Sequence, residues 1–200
     1  MDITALITAI GTIVLGYFTY NQYTKNKLTD LKIKRFEEED KRKNKARADN
    51  ASLVYGELWN VLHETKADRV YIIQPHPLGN EEMLTIYFEV KRKNASSMKP
   101  NIQNVKICDV AKFSSDLGKN IFLYITNIDE QISDSYTKSI ISSCGCVNCV
   151  IKRLSDNRHD WVGSIFCEFS EPMDISEEEA HNILHNAAIN IQYILPEIKN

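Results

Sequence analysis

Asp68-Arg-Val-Tyr-Ile-Ile-Gln-Pro-His-Pro-Leu-Gly-Asn-Glu-Glu-Met-Leu-Thr-Ile-Tyr-Phe-Glu-Val90 is the stretch on which the fold turns. Arg69 to Gln74 is rich in β-branched and aromatic side chains, and Pro75-His76-Pro77 stops it. Leu78-Gly79-Asn80 supplies turn residues, and Met83 to Val90 reads as the strand that returns antiparallel to the first.

Outward from this hairpin the pattern alternates. Upstream, Ala51, Val54, Tyr55, Leu58, Trp59, Val61 and Leu62 form a broad helical stripe that ends at His63 and Glu64. Downstream, Lys91 to Gln103 is a polar loop and Ile121 to Thr126 a third strand, with a short helix or loop from Asp129 to Lys138. Two further strands, Cys144 to Leu154 and Trp161 to Phe169, are joined by the hairpin Ser155 to Asp160. The last element is a helix from Glu177 to Leu195, with Ser176 as N-cap, Glu179 as its N3 partner and Pro196 at its end. Its face of Ile183, Leu184, Ala187, Ala188, Ile191 and Leu195 can pack on a sheet. Short turns between neighbouring strands predict an α+β domain over residues 51–200, an antiparallel sheet with helices on one side.

The first fifty residues have a different composition. Ile3 to Tyr20 carries no charge, and at 1.5 Å rise per residue its roughly 27 Å just crosses a bilayer core. Tyr17, Phe18 and Tyr20 stand where an aromatic belt belongs. The start Met1-Asp2 lacks the cations of a signal peptide, so residues 1–22 are expected to be an uncleaved transmembrane anchor. Lys25, Lys27, Lys32, Lys34 and Arg35 follow it and no Lys or Arg precedes it, which predicts an outside N-terminus and a cytoplasmic body. Residues 23–50 read as a charged helical stalk with pairs such as Glu37–Lys41 and Glu39–Lys43. Leu28 and Leu31 hint at a coiled-coil seam, hence homodimerisation through the stalk, and Thr4, Thr8, Thr12 and Gly16 at close helix approach in the membrane. The net charge of −3 hides a basic stalk and an acidic body, which disfavours nucleic acid as a partner of the body.

The body resembles a GAF domain, the sensing module related to PAS. The likeness rests on Leu58-Trp-Asn-Val-Leu62 with Thr65 to Gln74 at the opening, and on Trp161 to Phe169 with Ser176-Glu-Glu-Glu179 at the close. It implies a small-molecule or partner sensor, with a ligand pocket between the sheet and the loop from Lys91 to Lys119 lined by Tyr71, Ile73, Tyr87, Phe88 and Tyr124, residues that serve equally as plain core. The sequence departs from the family's cyclic-nucleotide binders, lacking their Asn-Lys-Phe-Asp-Glu run, and it shows no bilin-attachment context. A signal would then leave through the stalk, the membrane helix or a partner.

Cys144-Gly-Cys-Val-Asn-Cys149 has the spacing of a zinc or iron–sulfur site or of a redox reporter, with Cys108 or Cys167 as a fourth ligand. On a regular strand Cys144 and Cys146 face one way and Cys149 the other, so convergence requires a loop at Gly145; otherwise they are core cysteines. His181 and His185, four apart on the last helix, could hold a metal only with a third ligand. No Ser–His–Asp or Cys–His order and no glycine-rich phosphate loop is present, so the chain is expected not to be an enzyme. The leading expectation is a membrane-anchored sensory or regulatory module. Its alternatives are a structural membrane protein, such as a small bitopic phage or mobile-element protein acting in lysis or membrane remodelling, and a cysteine-based metal or redox sensor. The membrane reading predicts that the full-length product sediments with membranes and resists alkaline carbonate, while protease added outside intact cells leaves the body whole. Recovery in the soluble fraction would refute it.

Overall fold

The computed structural model describes residues 20, 22–25, 27, 32–34, 38, 50–76 and 82–195. The chain divides into two units, Met1–Ala48 and Asp49–Asn200. In the first unit the described residues are helical, and the Thr24 hydroxyl donates to the Tyr20 carbonyl at 2.8 Å, a hydroxyl bonding back within its own turn. Most of the expected membrane anchor and most of the expected stalk lie outside the described residues. Among the described residues, no helix is long and apolar enough to cross a membrane.

The second unit opens with helix α1, residues 50–65, which ends where Lys66 takes a positive φ of 57°. Strands β1 (Arg69–His76), β2 (Met83–Lys91) and β3 (Val105–Lys106) follow, then a 3₁₀ turn, Ile107–Val110. After it come α2 (Ala111–Lys119), β4 (Phe122–Ile125), α3 (Ile128–Gln131) and α4 (Ser135–Ser142). The chain closes with β5 (Asn148–Ser155), β6 (Trp161–Phe169) and α5 (Glu177–Ile191). All strand pairings are antiparallel, in the order β3-β2-β1-β6-β5-β4. β1 and β6 are therefore central. Every residue of β1 is buried, which explains why Val70-Tyr-Ile-Ile73 reads as a continuous apolar run rather than an alternation.

Most of the expected elements stand, with four corrections. Helices cover both faces of the sheet, not one. Val54, Leu58, Val61 and Leu62 of α1 join Leu184, Ala187, Ala188 and Ile191 of α5 over Val70, Ile72, Val150, Ile165 and Cys167. On the opposite face Met98, Ile102, Val110, Phe113, Leu117, Ile128, Ile132 and Ile141 cover Tyr71, Ile73, Ile86, Cys149, Ile151 and Phe166. Second, α2 arises inside a stretch that reads as loop. It is nine residues long, contains Gly118 and has Val110 at its N-cap without a side-chain cap bond, so no start signal marks it. Third, the strand expected from Cys144 begins only at Asn148. Fourth, two element ends differ: α5 ends at Ile191 rather than Leu195, and β1 is not stopped at Gln74 but runs on through Pro75 and His76, which pair with Leu84 and Met83. The Ser176 cap of α5 is present, the hydroxyl accepting the Glu179 N–H at 3.2 Å.

A β-bulge interrupts the first hairpin. Ile72 opposes Phe88 and Ile73 opposes Ile86, which leaves Tyr87 without a partner on β1. Beside it, a Cβ on Gly163 of β6 would lie 3.0 Å from the Ile73 carbonyl oxygen and 3.4 Å from side-chain atoms of Gln74 and Ile72. Backbone cannot yield as a flexible side chain can. Gly163→Ala is expected to cost about 1–3 kcal/mol by crowding this seam, read as a lowered thermal unfolding midpoint. An unchanged midpoint would mean that β6 shifts freely.

Candidate functional site

Because Arg69 and Glu168 are direct cross-strand partners, the sheet register places a charge pair inside two apolar strands. Glu168 has no exposed surface and Arg69 is 2% exposed. One carboxylate oxygen accepts Nε of Arg69 at 2.8 Å and lies 2.6 Å from its Nη2, and the other accepts the Tyr71 hydroxyl at 2.5 Å. Arg69 also donates to the Ser96 carbonyl at 2.8 Å and, from both terminal nitrogens, to the Cys144 carbonyl at 3.3 Å. Next to it on β2, Glu89 accepts the backbone N–H groups of Met98 at 2.5 Å and Lys99 at 3.3 Å and the Ser97 hydroxyl. Burial pushes the Glu168 carboxyl above the usual carboxylate range, while the Arg69 charge and the hydrogen bonds from Tyr71 and Arg69 oppose it. Burial, then the neighbouring Glu168 charge, raises the Tyr71 phenol well above its ordinary value. Both Glu168 oxygens are spent on internal bonds, so this cluster is a clamp that ties the 92–101 loop and the Cys144 turn to the sheet.

Open space lies at the β4 edge. A groove of about 320 Å³ runs between α2, β4 and the α3–α4 connection. Phe113, Leu123, Ile125 and Ile132 form its apolar part, and Lys112, Asp116, Gln131 and Asp134 stand among them as polar groups. The rim is held in place: Gln131 Oε1 accepts the N–H groups of Thr126 at 2.7 Å and Asn127 at 3.1 Å, Asp134 caps α4 through the Thr137 N–H at 2.7 Å, and Lys112 bonds the Ser133 hydroxyl. Further inside, between the sheet and α2 and α4, a gap of only about 20 Å³ remains among Ile73, Leu84, Val110, Phe113 and Ile141. That is room for a water molecule and no more.

The five residues expected to line one pocket are not gathered around one cavity. Tyr71 and Ile73 belong to the core under α2 and α4, and the Tyr71 ring stacks on Phe166 at 5.1 Å. Phe88 belongs to the core under α1, where Tyr55 meets it edge-on at 5.3 Å, and the bulge puts Tyr87 beside that same core. Tyr124 borders the groove, but its hydroxyl donates to the Ile175 carbonyl at 2.6 Å. The sheet itself separates the set.

The cysteines do not form one centre either. Gly145 turns the chain with a φ of 77° before β5, the loop that convergence requires. Yet Cys144 Sγ lies 3.5 Å from the Ser97 carbonyl, Cys146 Sγ donates to the Asn148 carbonyl at 3.2 Å, and Cys149 is buried in the loop-side core. A hydrogen bond with Cys146, then burial, raises the Cys149 thiol well above its usual value, and burial pushes Cys167 up to about 12. Among the described residues, no group of three or more His, Cys, Asp or Glu side chains could hold a metal ion. His181 and His185 stack at 5.8 Å, and His181 packs edge-on against Phe122 at 4.9 Å.

No family model and no curated protein matches the sequence. Solved structures do match the fold. The blue-light-absorbing form of the Thermosynechococcus elongatus PixJ GAF domain aligns with a TM-score of 0.59 at 11% identity, over 74% of this chain and 88% of that one. The phycocyanobilin-bound GAF domain of a cyanobacterial phytochrome gives 0.57 at 18%, over 72% and 85%. A domain of a two-component sensor histidine kinase protein from Sinorhizobium meliloti 1021 gives 0.52 at 12%, over 69% and 85%. The fold is GAF-like.

The clamp makes a pH-dependent prediction. A raised phenol contributes stability that is fully present below its ordinary value of 10.0 and is lost as pH rises through the higher folded value. Thermal stability is therefore expected to fall in the alkaline range, and less steeply in Tyr71→Phe. At neutral pH that variant should lose about 1–3 kcal/mol, because a carboxylate oxygen is left buried without its donor. Equal alkaline slopes in circular-dichroism melts of the two proteins would contradict this assignment.

Proposed function

We propose that this chain is a membrane-anchored sensory or regulatory module of GAF-like fold, without catalytic turnover, whose input is a small molecule held in the groove beside α2. The observation that carries this reading is the groove itself. It joins an apolar wall to fixed polar groups, and its roughly 320 Å³ stands at the small end of the ligand-site range of about 300–1,000 Å³. Its size suits a small metabolite better than a linear tetrapyrrole such as the phycocyanobilin of one structural neighbour. The photoreceptor and sensor-kinase neighbours support a sensory role by their shared fold alone. The charge-free Ile3–Tyr20 stretch supports the anchor, and the cations that follow it support a cytoplasmic body. Output would pass through the 23–50 segment to a second copy or to a partner.

The filled interior favours one other reading. Among the described residues, the gap between the sheet and α2 and α4 is about 20 Å³, too small for a ligand, as expected of a body kept for docking in a structural membrane protein.

Ligand capture separates the two. Native mass spectrometry of the full-length chain purified from its own cells, followed by thermal-shift screening of metabolites, is expected to yield a compound that stabilises by about 2.7 kcal/mol at ~100 times its Kd. Leu123→Trp, which narrows the groove, should abolish that stabilisation, measured relative to the variant's own unliganded melt. If no compound shifts the melt, or if Leu123→Trp binds as the parent does, the groove is not the input and the docking reading replaces it.

A further inference from the structure

We propose that a second site, the cleft at the Arg69 end of the sheet, binds the phosphate group of a phosphorylated ligand. The cleft is about 340 Å³ and opens between the start of β1, the loop after β2, the Cys144 turn and Ser170. It is distinct from the groove beside α2, and either can fail without the other.

Three cations line it. Arg69 is buried at its floor, while Arg92 and Lys93 are exposed on the loop. Among the described residues, no ion pair engages Arg92 or Lys93, and no side-chain hydrogen bond is made by either. The lining carboxylate, Asp68, is already occupied: its Oδ2 accepts the Ser170 N–H at 2.7 Å and the Ser170 hydroxyl at 2.6 Å. Glu168 answers the charge of Arg69 from behind. What remains facing the cleft is the charge of two neighbouring cations, Arg92 and Lys93, against the single carboxylate of Asp68, a net positive balance.

The loop that carries them is tied down at several points. The Arg92 N–H donates to the Asp68 carbonyl at 2.9 Å and the Ala95 N–H to the Arg92 carbonyl at 3.1 Å. Lys91 Nζ reaches the Ala95 carbonyl at 2.7 Å, and Arg69 holds the Ser96 carbonyl at 2.8 Å. A charged loop anchored in this way spares much of the ordering cost that an anion would otherwise meet on binding. An arginine fork beside a lysine matches the oxygens of a phosphate, whose charge of about −2 suits two cations better than a single carboxylate would. The phosphate can belong to a soluble metabolite or to a lipid headgroup, and the test separates these sources.

The full-length chain is reconstituted in phosphatidylcholine nanodiscs and titrated with inorganic phosphate and with adenosine monophosphate, the ionic strength being held constant with potassium chloride. Saturable stabilisation is expected. In Arg92→Ala/Lys93→Ala the phosphate affinity should drop at least ~10-fold with an unchanged unliganded melt, since each charged hydrogen bond is worth more than about a factor of ten. Lys106→Ala/Lys119→Ala, which removes the same charge elsewhere, should bind as the parent does. If phosphatidylglycerol in the nanodisc weakens phosphate binding in the parent but not in Arg92→Ala/Lys93→Ala, the occupant is a lipid headgroup; if it does not, the occupant is soluble. The proposal is overturned if chloride alone reproduces the stabilisation, or if the double alanine variant titrates like the parent.

Discussion

The carboxylate of Glu168 lies with no exposed surface between the guanidinium of Arg69 and the phenol of Tyr71, and this placement constrains the loop-side half of the molecule. An unpaired charge at that depth would be prohibitive, so the pair must form whenever the sheet does. Once formed, the remaining donors of Arg69 have two carbonyls within reach, those of Ser96 and Cys144. The irregular segments before and after the middle strands are thus fastened to the sheet centre by one side chain. Glu89 repeats the device one strand over, through Met98, Lys99 and Ser97.

This arrangement explains why the spaces useful for binding lie at the margins. The centre of the loop-side face is occupied by stacked Tyr71 and Phe166 and by the clamp, and the remaining gap there is about 20 Å³. The groove beside α2 and the cleft beside Arg92 both sit where covering segments meet a sheet boundary. The cleft shares Arg69 with the clamp, which gives an anion bound there a physical route to the carbonyls that hold the 92–101 loop. The opposite face, packed by α1 and α5, supplies apolar burial that holds the ensemble together.

The element pattern was legible because it is local. The β-branched run of β1, the Ser155–Asp160 hairpin and the Ser176 cap are each stated by a few adjacent residues, and the structure keeps them, whereas Pro75 does not stop β1, which runs on to His76. The candidate site was much less legible. Tyr71, Ile73, Tyr87, Phe88 and Tyr124 are aromatic or large apolar residues in strands, and such residues serve a core and a pocket equally well. Their separation depends on which face each occupies, and a single bulge opposite Ile72 and Ile73 moved Tyr87 out of phase. Arg69 and Glu168 did carry a signal, a charge embedded in each of two otherwise apolar strands, but only the pairing register shows that they meet.

By itself, then, the sequence determined the α+β pattern, the antiparallel hairpins, the contrast between a charge-free start and a basic segment after it, and the want of a catalytic motif. Those follow from periodicity and composition over short windows, where neighbours along the chain dominate the free energy. Tertiary structure alone decided that helices cover both faces, that α2 forms without a cap, that the cysteines point to different partners, and that Arg92 and Lys93 face a cleft floored by a buried guanidinium. These depend on residues brought together from distant parts of the chain, and their energies come from burial and pairing that no local window contains.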